Sequence, residues 1–186
     1  MNQNQRSLLP EISLRRLRGA TDGDLTFAWR NNPEIYKWCR QVDVLHPEPH
    51  KRWYDNQQLD PTVSMYMIEA SVGIDFNSRE KIIPVGVCGL TGIDLINRRA
   101  EFSLYIAPDS QGCGFGEMAL RALVAKGFKA YGLNCIWGEA FDGNPAIKMF
   151  NRVGFKEEGK RREFYFRDGK FVDAVLFSLL RSEYVG

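Results

Sequence analysis

The sequence predicts one mixed α/β domain, a sheet of about seven strands flanked by helices. Three observations carry this expectation. Residues 99–106 alternate with period two, placing Ala100, Phe102, Leu104 and Ile106 on one face of a strand. Residues 114–131 repeat instead with the helical period, and Leu120, Leu123, Val124, Ala125 and Phe128 form the buried stripe. The order along the chain is strand, helices, three strands, helix, strand, helix, two strands, with no internal repeat and no linker. A chain of 186 residues suits a single core. The domain is expected over residues 11–186, behind a loose polar tail at 1–10.

The elements follow in order. Residues 12–17 (ISLRRL) alternate as a half-buried strand. Thr21-Asp22-Gly23-Asp24 offers an N-cap and first-turn acids for a helix through Leu25, Phe27 and Trp29, which Asn31-Asn32-Pro33 ends. A short piece then carries Ile35, Tyr36 and Trp38, and a further helix is expected around Trp53 and Tyr54. From Ser64 the texture is that of strands, and the glycines of 84–93 (PVGVCGLTGI) suggest bulges. Asn77-Ser78-Arg79 and Ile96-Asn97-Arg98 are expected hairpin turns. Residues 134–140 form a strand and 145–152 a short helix. Residues 155–167 and 172–180 close as a hairpin around Arg167-Asp168-Gly169-Lys170, whose Asp-Gly step favours a tight turn.

Composition narrows the function. Lys and Arg total 25 against 23 Asp and Glu, so no electrostatic footprint for nucleic acid exists. No apolar run reaches the ~18 residues of a membrane span, and the start MNQNQRS is not a signal peptide. Cys39, Cys88, Cys113 and Cys135 make no C-x-x-C pair, so neither a zinc knuckle nor a redox dithiol is indicated. A cytoplasmic protein without membrane or nucleic-acid partner is expected, as monomer or homodimer. His46 and His50 are four apart, but Pro47 and Pro49 are expected to preclude a helix presenting both, so no metal site is assigned.

The chemistry concentrates at residues 107–117 (APDSQGCGFGE), which leave an apolar strand and enter an amphipathic helix. Glycines at alternate positions let backbone amides converge on an anion, and the helix dipole points the same way. No Gly-Lys-Ser/Thr is present, so this is not a P-loop. Glu117 occupies the third glycine position of the dinucleotide fingerprint. The pattern Q/R-x-x-G-x-G/A is satisfied at every position by Gln111-Gly112-Cys113-Gly114-Phe115-Gly116.

This segment resembles the coenzyme A pyrophosphate loop of the GNAT superfamily of N-acetyltransferases. Ala100-Glu101-Phe102 resembles the opening of that family's fourth strand, and residues 144–155 (NPAIKMFNRVGF) resemble its N-x-x-A-x-x-x-Y-x-x-x-G-F segment. The resemblance implies a mostly antiparallel sheet with splayed central strands and acetyl-CoA as co-substrate. It implies that Leu104, Tyr105 and Ile106 present backbone to the pantetheine and acetyl groups. Gln111, Gly112, Cys113, Gly114, Phe115 and Gly116 would hold the pyrophosphate, and Asn144 would hydrogen-bond the pantetheine arm. Cys113 is expected to be a bystander rather than a nucleophile. Glu101 is the candidate general base, acting through water. One departure stands out: Phe150 occupies the position where many members carry a tyrosine that protonates the leaving thiolate. Tyr105, Tyr131 and Tyr165 are the substitutes to be ranked.

The acceptor is expected to be a primary amine on a small molecule. The N-terminal region resembles two branches of the family, one acetylating nucleotide-linked amino sugars and one acetylating N-termini of ribosomal proteins; Arg30-Asn31-Asn32-Pro33 through Trp38, with His50-Lys51-Arg52-Trp53, reproduces features of the sugar branch. That implies His50 on the sugar nucleotide and Arg30 and Asn31 near the acceptor mouth. A protein N-terminus of the ribosomal type, another small amine, or acetyl-CoA binding without transfer are the alternatives.

Overall fold

The computed structural model describes residues 11–41, 43–74 and 79–185. The tail at 1–10 and Asn77-Ser78 of one expected turn lie outside them. Strand β1 (Ile12–Arg16) leads into helices α1 (Gly19–Arg30), α2 (Pro33–Tyr36) and α3 (Pro47–Gln57). Strands β2 (Ser64–Ile74), β3 (Glu80–Asp94) and β4 (Arg99–Ile106) follow. A single 3-10 turn then leads to α4 (Phe115–Lys129), β5 (Cys135–Phe141), α5 (Ile147–Val153), β6 (Lys156–Arg167) and β7 (Lys170–Leu180). The seven strands form one sheet in the order β1-β2-β3-β4-β5-β7-β6. Every neighbouring pair is antiparallel except β4 with β5.

That parallel pair is where the sheet opens. β4 and β5 are joined only at Arg99↔Cys135, Ala100↔Ile136 and Glu101↔Trp137. Beyond Glu101 the strands diverge, while β4 continues on β3 to Ile106 and β5 continues on β7 to Phe141. The splayed centre is thus present.

The larger core lies between the sheet and α4 with α5. Leu120, Leu123, Val124 and Phe128 of α4 are buried against Ile68, Leu90 and Ile136 of the strands. Each such side chain contributes roughly 1.5–3 kcal/mol of apolar burial. Met65, Met67 and Val87 face the other way and pack with Leu25 and Trp29 of α1 and Tyr54 of α3. The even-numbered residues of β4 therefore face α4, and Glu101, Ser103 and Tyr105 face the α1–α3 side.

Three local expectations change. α1 starts at Gly19 rather than at the Thr21 cap, because Asp22 is buried, accepts from the Arg18 amide at 2.8 Å and pairs with Arg15. The prolines of the His46–His50 segment do not prevent a helix. His46 is the N-cap, and Pro47 and Pro49 sit in the first turn, where backbone amides have no intrahelical partner. β3 begins at Glu80, four residues before the expected start. Its bulge is present, with Gly92 at φ +57° inside the register shift between Thr91 and Asp94.

Candidate active site

The gap between β4 and β5 opens into a cleft of about 970 Å³ that runs from the α4 N-terminus to α2 and α3. The strand register decides which backbone groups reach it. Ala107 donates to the Val85 carbonyl at 2.8 Å, which sets the phase of the β3–β4 ladder. In an antiparallel ladder alternate residues bond to the same neighbour, so Ser103 and Tyr105 are committed to β3. Phe102, Leu104 and Ile106 turn their amides and carbonyls toward the gap. Gln111 Nε2 reaches the Ile106 carbonyl from that side at 3.2 Å. Leu104 and Ile106 thus turn backbone toward the gap, whereas the backbone groups of Tyr105 are directed to β3.

The glycine loop closes one end. Gly112 (φ +78°) and Gly114 (φ +83°) are left-handed with nothing within 4 Å of where a Cβ would stand, so their role is conformational. Gly114 is the N-cap of α4, and the amides of the first turn have no intrahelical acceptor. Gly116 packs under Met149 and Ile106, where a Cβ would lie 3.2 Å from Met149 Sδ. Gln111, Gly112, Gly114, Phe115 and Gly116 all line the cleft. Cys113 is exposed and outside its lining, with Sγ turned back 3.7 Å from the Gln111 carbonyl. Glu117, in the same turn, is held by Arg121 (2.9 Å) and Arg152 (2.8 Å), which keep its carboxyl below the usual range.

Asn144 lines the opposite wall. Its Oδ1 accepts from the Ala146 amide at 2.9 Å, tightening the approach to α5. Phe150 lies in a cluster with Phe102, Phe155 and Phe177, one edge lining the cleft and no polar atom to offer. Of the three tyrosines, only Tyr105 lines the cleft. Tyr131 bonds with Ser64 and Tyr66 hydroxyls elsewhere, and Tyr165 donates to Glu139. Burial pushes the Tyr105 hydroxyl far above its ordinary pKa, so it is not a ready source of protons.

The centre of the cleft holds a charge cluster that motif reading misses. Glu101 of β4 and Glu139 of β5 face each other across the split, and Arg40, from the segment after α2, bridges them. Its Nη2 lies 2.7 Å from Glu101 and its Nη1 3.6 Å from Glu139. Arg161 of β6 reaches Glu139 at 3.2 Å, and the Tyr165 hydroxyl donates to the same carboxylate. Burial raises the Glu101 pKa, Arg40 pulls it partly back and Glu139 pushes it up again, for a net rise. The one signal in the sequence was Glu139 itself, the single charged residue in the apolar strand CIWGEAF.

Of the acceptor residues, the structure brings only Arg30 to the cleft. Its Nε and one terminal nitrogen share the Gln41 side-chain oxygen at 3.3 and 3.2 Å, and the guanidinium lies 5.9 Å over the Trp53 ring. Asn31 is turned inward, accepting from the Leu45 amide at 2.7 Å and donating to the Leu45 carbonyl at 3.1 Å, so it straps the loop between α1 and α3. His50 is likewise not at the mouth. It is buried against the Thr26 hydroxyl (3.2 Å) and the Gly23 carbonyl (3.3 Å), beside the rings of Phe27, Trp53 and Tyr54. Among the described residues no group of three His, Cys, Asp or Glu is placed to hold a metal, and no helix is long and apolar enough to cross a membrane.

A split sheet whose free amides meet a glycine loop at a helix N-terminus defines an acyl-CoA-binding fold, and the comparisons with known proteins agree. The sequence matches the acetyltransferase (GNAT) domain over residues 11–156, and the chain belongs to that family. It is an acetyl-CoA-dependent N-acetyltransferase. It is 36% identical over 179 residues to the uncharacterized N-acetyltransferase p20 of Bacillus licheniformis, covering 94% of this chain and 96% of that one. It is 32% identical over 172 residues to spermidine N(1)-acetyltransferase of Vibrio cholerae, covering 91% and 94%. The crystal structure of spermidine N-acetyltransferase from Vibrio cholerae with CoA and spermine has the same fold, with a TM-score of 0.81 over 94% of this chain and 98% of that one, at 24% identity.

Proposed function

We propose that the enzyme acetylates a primary amine on a small acceptor that also carries an anionic group, such as a nucleotide-linked amino sugar. The observation that carries this is the charge balance of the cleft. Glu34, Glu101, Glu117 and Glu139 each already face a cation, respectively Lys37, Arg40, Arg152 and Arg161. Arg30 is the lining cation with no carboxylate partner among the described residues. A phosphate or carboxylate on the acceptor would complete its fork, beside the Trp53 ring. His50 and Asn31 support this reading only from behind, by holding the helices that place Arg30 and Trp53.

Acetyl-CoA supplies the acetyl group as a thioester. The loop Gln111–Gly116 is assigned to its pyrophosphate, with Cys113 contributing backbone only. Leu104 and Ile106 are assigned to the pantetheine and acetyl carbonyl, and Asn144 to the arm. Glu101 is the general base. As the amine nitrogen bonds to the acetyl carbon, its proton passes through water to Glu101, the C–S electron pair leaves on sulfur, and that proton is returned through solvent to the thiolate, which regenerates the Glu101 carboxylate. Proximity and a preset oxyanion donor do most of the work, so no enzyme nucleophile is required.

A polyamine is the second reading. It is favoured by the paired carboxylates Glu101 and Glu139 and by the 32% identity to a spermidine acetyltransferase. Release of free CoA thiol against UDP- and dTDP-linked amino sugars, spermidine and short peptides separates the two. Turnover of the acidic acceptors, with KM raised about 10- to 100-fold in Arg30→Gln, is expected from the loss of a charged hydrogen bond. Turnover of spermidine alone, unaffected by Arg30→Gln, would select the second reading.

A further inference from the structure

We propose that Arg40 is a positioning residue that holds Glu101 as an ionised carboxylate facing the split, and that Arg167 holds Arg40 in place. The inference rests on the assignment of Glu101 as the general base.

The geometry separates the two carboxylates by how they are supported. Glu139 is 5% exposed and has three partners, Arg161, the Tyr165 hydroxyl and the farther nitrogen of Arg40. Glu101 is 15% exposed and has one ion-pair partner among the described residues, Arg40 at 2.7 Å. Two carboxylates facing one another in a half-dry cleft do not both stay ionised unless cations stand between them. Without Arg40, the carboxylate left to take up a proton is the less supported one, Glu101. A protonated Glu101 accepts nothing from an amine.

Arg40 is itself constrained at both ends. Its side chain is 53% exposed and thrown inward over the two acids. Its carbonyl accepts from Arg167 at 2.7 Å. Arg167 stands at the β6–β7 turn with its guanidinium 5.2 Å from the Phe141 ring and 5.4 Å from the Tyr165 ring. Two neighbouring rings, themselves packed with centroids 5.1 Å apart, hold the guanidinium beside them, so the turn at the end of β6 helps set where the segment after α2 can lie. The charged groups facing Glu101 are therefore Arg40 from that segment, Glu139 from β5 and Arg161 from β6. Arg40 and Arg161 lower its proton affinity, and Glu139 with burial raises it.

The test is the pH profile of kcat/KM for the acceptor, followed by thiol release, in Arg40→Gln, Arg40→Lys, Arg167→Gln, Glu139→Gln and Glu101→Gln. Arg40→Gln should move the midpoint of the acidic limb upward by about one pH unit, the low end for a carboxylate losing an adjacent cation. Activity should return at higher pH, and the acetyl-CoA Kd should be unchanged. Arg40→Lys, which keeps the charge, should leave the limb near its original place, and Arg167→Gln should move it the same way by less. Glu139→Gln should move it downward, which keeps the proposal open to refutation if Arg40→Gln fails to fold. An unmoved limb in these variants would overturn the proposal, as would Arg40→Gln being faster at every pH, the mark of a side chain that merely fills the acceptor's place. Glu101→Gln keeping full kcat and its acidic limb would remove the base assignment itself. Loss of the limb in Glu101→Gln with no shift in Arg40→Gln would remove only the role of Arg40.

Discussion

Gly138 of β5 lies directly beneath the ring of Phe102 on β4, so closely that a Cβ at position 138 would stand 2.5 Å from the ring edge. The contact falls just past Glu101↔Trp137, the last pair joining the two strands. Phe102 also packs on Phe150 and Phe155, with ring centroids 5.1 and 4.8 Å away, and cannot easily yield. Gly138→Ala should destabilise the protein by about 1–3 kcal/mol, the range for overpacking a filled core. A denaturant melt checks this; unchanged stability would mean the ring has room to move.

Glu101→Gln keeps the size of the side chain and its contact with Arg40 but removes the proton acceptor. It should lower kcat by about 10²-fold or more, the span for general base catalysis, with acetyl-CoA affinity nearly intact. Because burial raises the Glu101 pKa, wild-type activity should fall on acidification at a higher pH than an exposed glutamate would give. Steady-state kinetics across pH measures both effects. Full kcat at saturating acceptor would take Glu101 out of the mechanism.

Gly114 holds φ +83° with open space around it, so Gly114→Ala introduces backbone strain and nothing else. That strain is about 1–2 kcal/mol for an L-residue. The loop relieves it by leaving the conformation that aims its amides at the cleft. Restoring that conformation then weakens acetyl-CoA binding by about tenfold. Titration calorimetry with acetyl-CoA and with CoA reads the change, and an unaltered Kd would show that the loop does not carry the pyrophosphate.

His50 is held neutral: burial lowers its pKa, the Gly23 carbonyl partly opposes this and Arg30 adds to the lowering. A histidine whose folded pKa lies below its unfolded value of about 6.5 leaves the unfolded chain binding the extra proton on acidification. Its contribution to stability is therefore intact above that pH and declines as pH falls toward the lowered folded value. Thermal midpoints of wild type and His50→Gln between pH 7.5 and 5 should converge on acidification. The acceptor KM of a folded His50→Gln should stay near wild type; a rise of an order of magnitude would return His50 to the acceptor site.

What the sequence makes legible is what backbone geometry writes into residue types. Gly112, Gly114 and Gly116 are required by conformation or close approach, so the loop and the helix it opens could be placed before any coordinates. The same holds for the β6–β7 turn, where Asp168 (φ +48°) and Gly169 (φ +77°) take the left-handed values an Asp-Gly step permits. Charge constellations are different. Arg40, Glu101, Glu139, Arg161 and Tyr165 come from four separate elements, and nothing in their spacing announces that they meet. Asn31 and His50 show the converse limit. A motif marked them as acceptor residues, yet Asn31 bonds Leu45 and His50 Nε2 lies against Thr26 and Gly23 within the fold, and only the partners reveal it. Asp22 belongs with them, since a first-turn acid was legible but its pairing with Arg15 across to β1 was not.

Only three residue pairs join β4 to β5, so past Glu101 the β4 edge has no strand beside it on the β5 side. One core packed on α4 and α5 still spans both sides of the opening. A ligand seated there would take the place of the missing strand. Amide exchange should report this directly: the gap-facing amides of Leu104 and Ile106 should be slowed by acetyl-CoA, while those of Ser103 and Tyr105, already spent on β3, should barely respond.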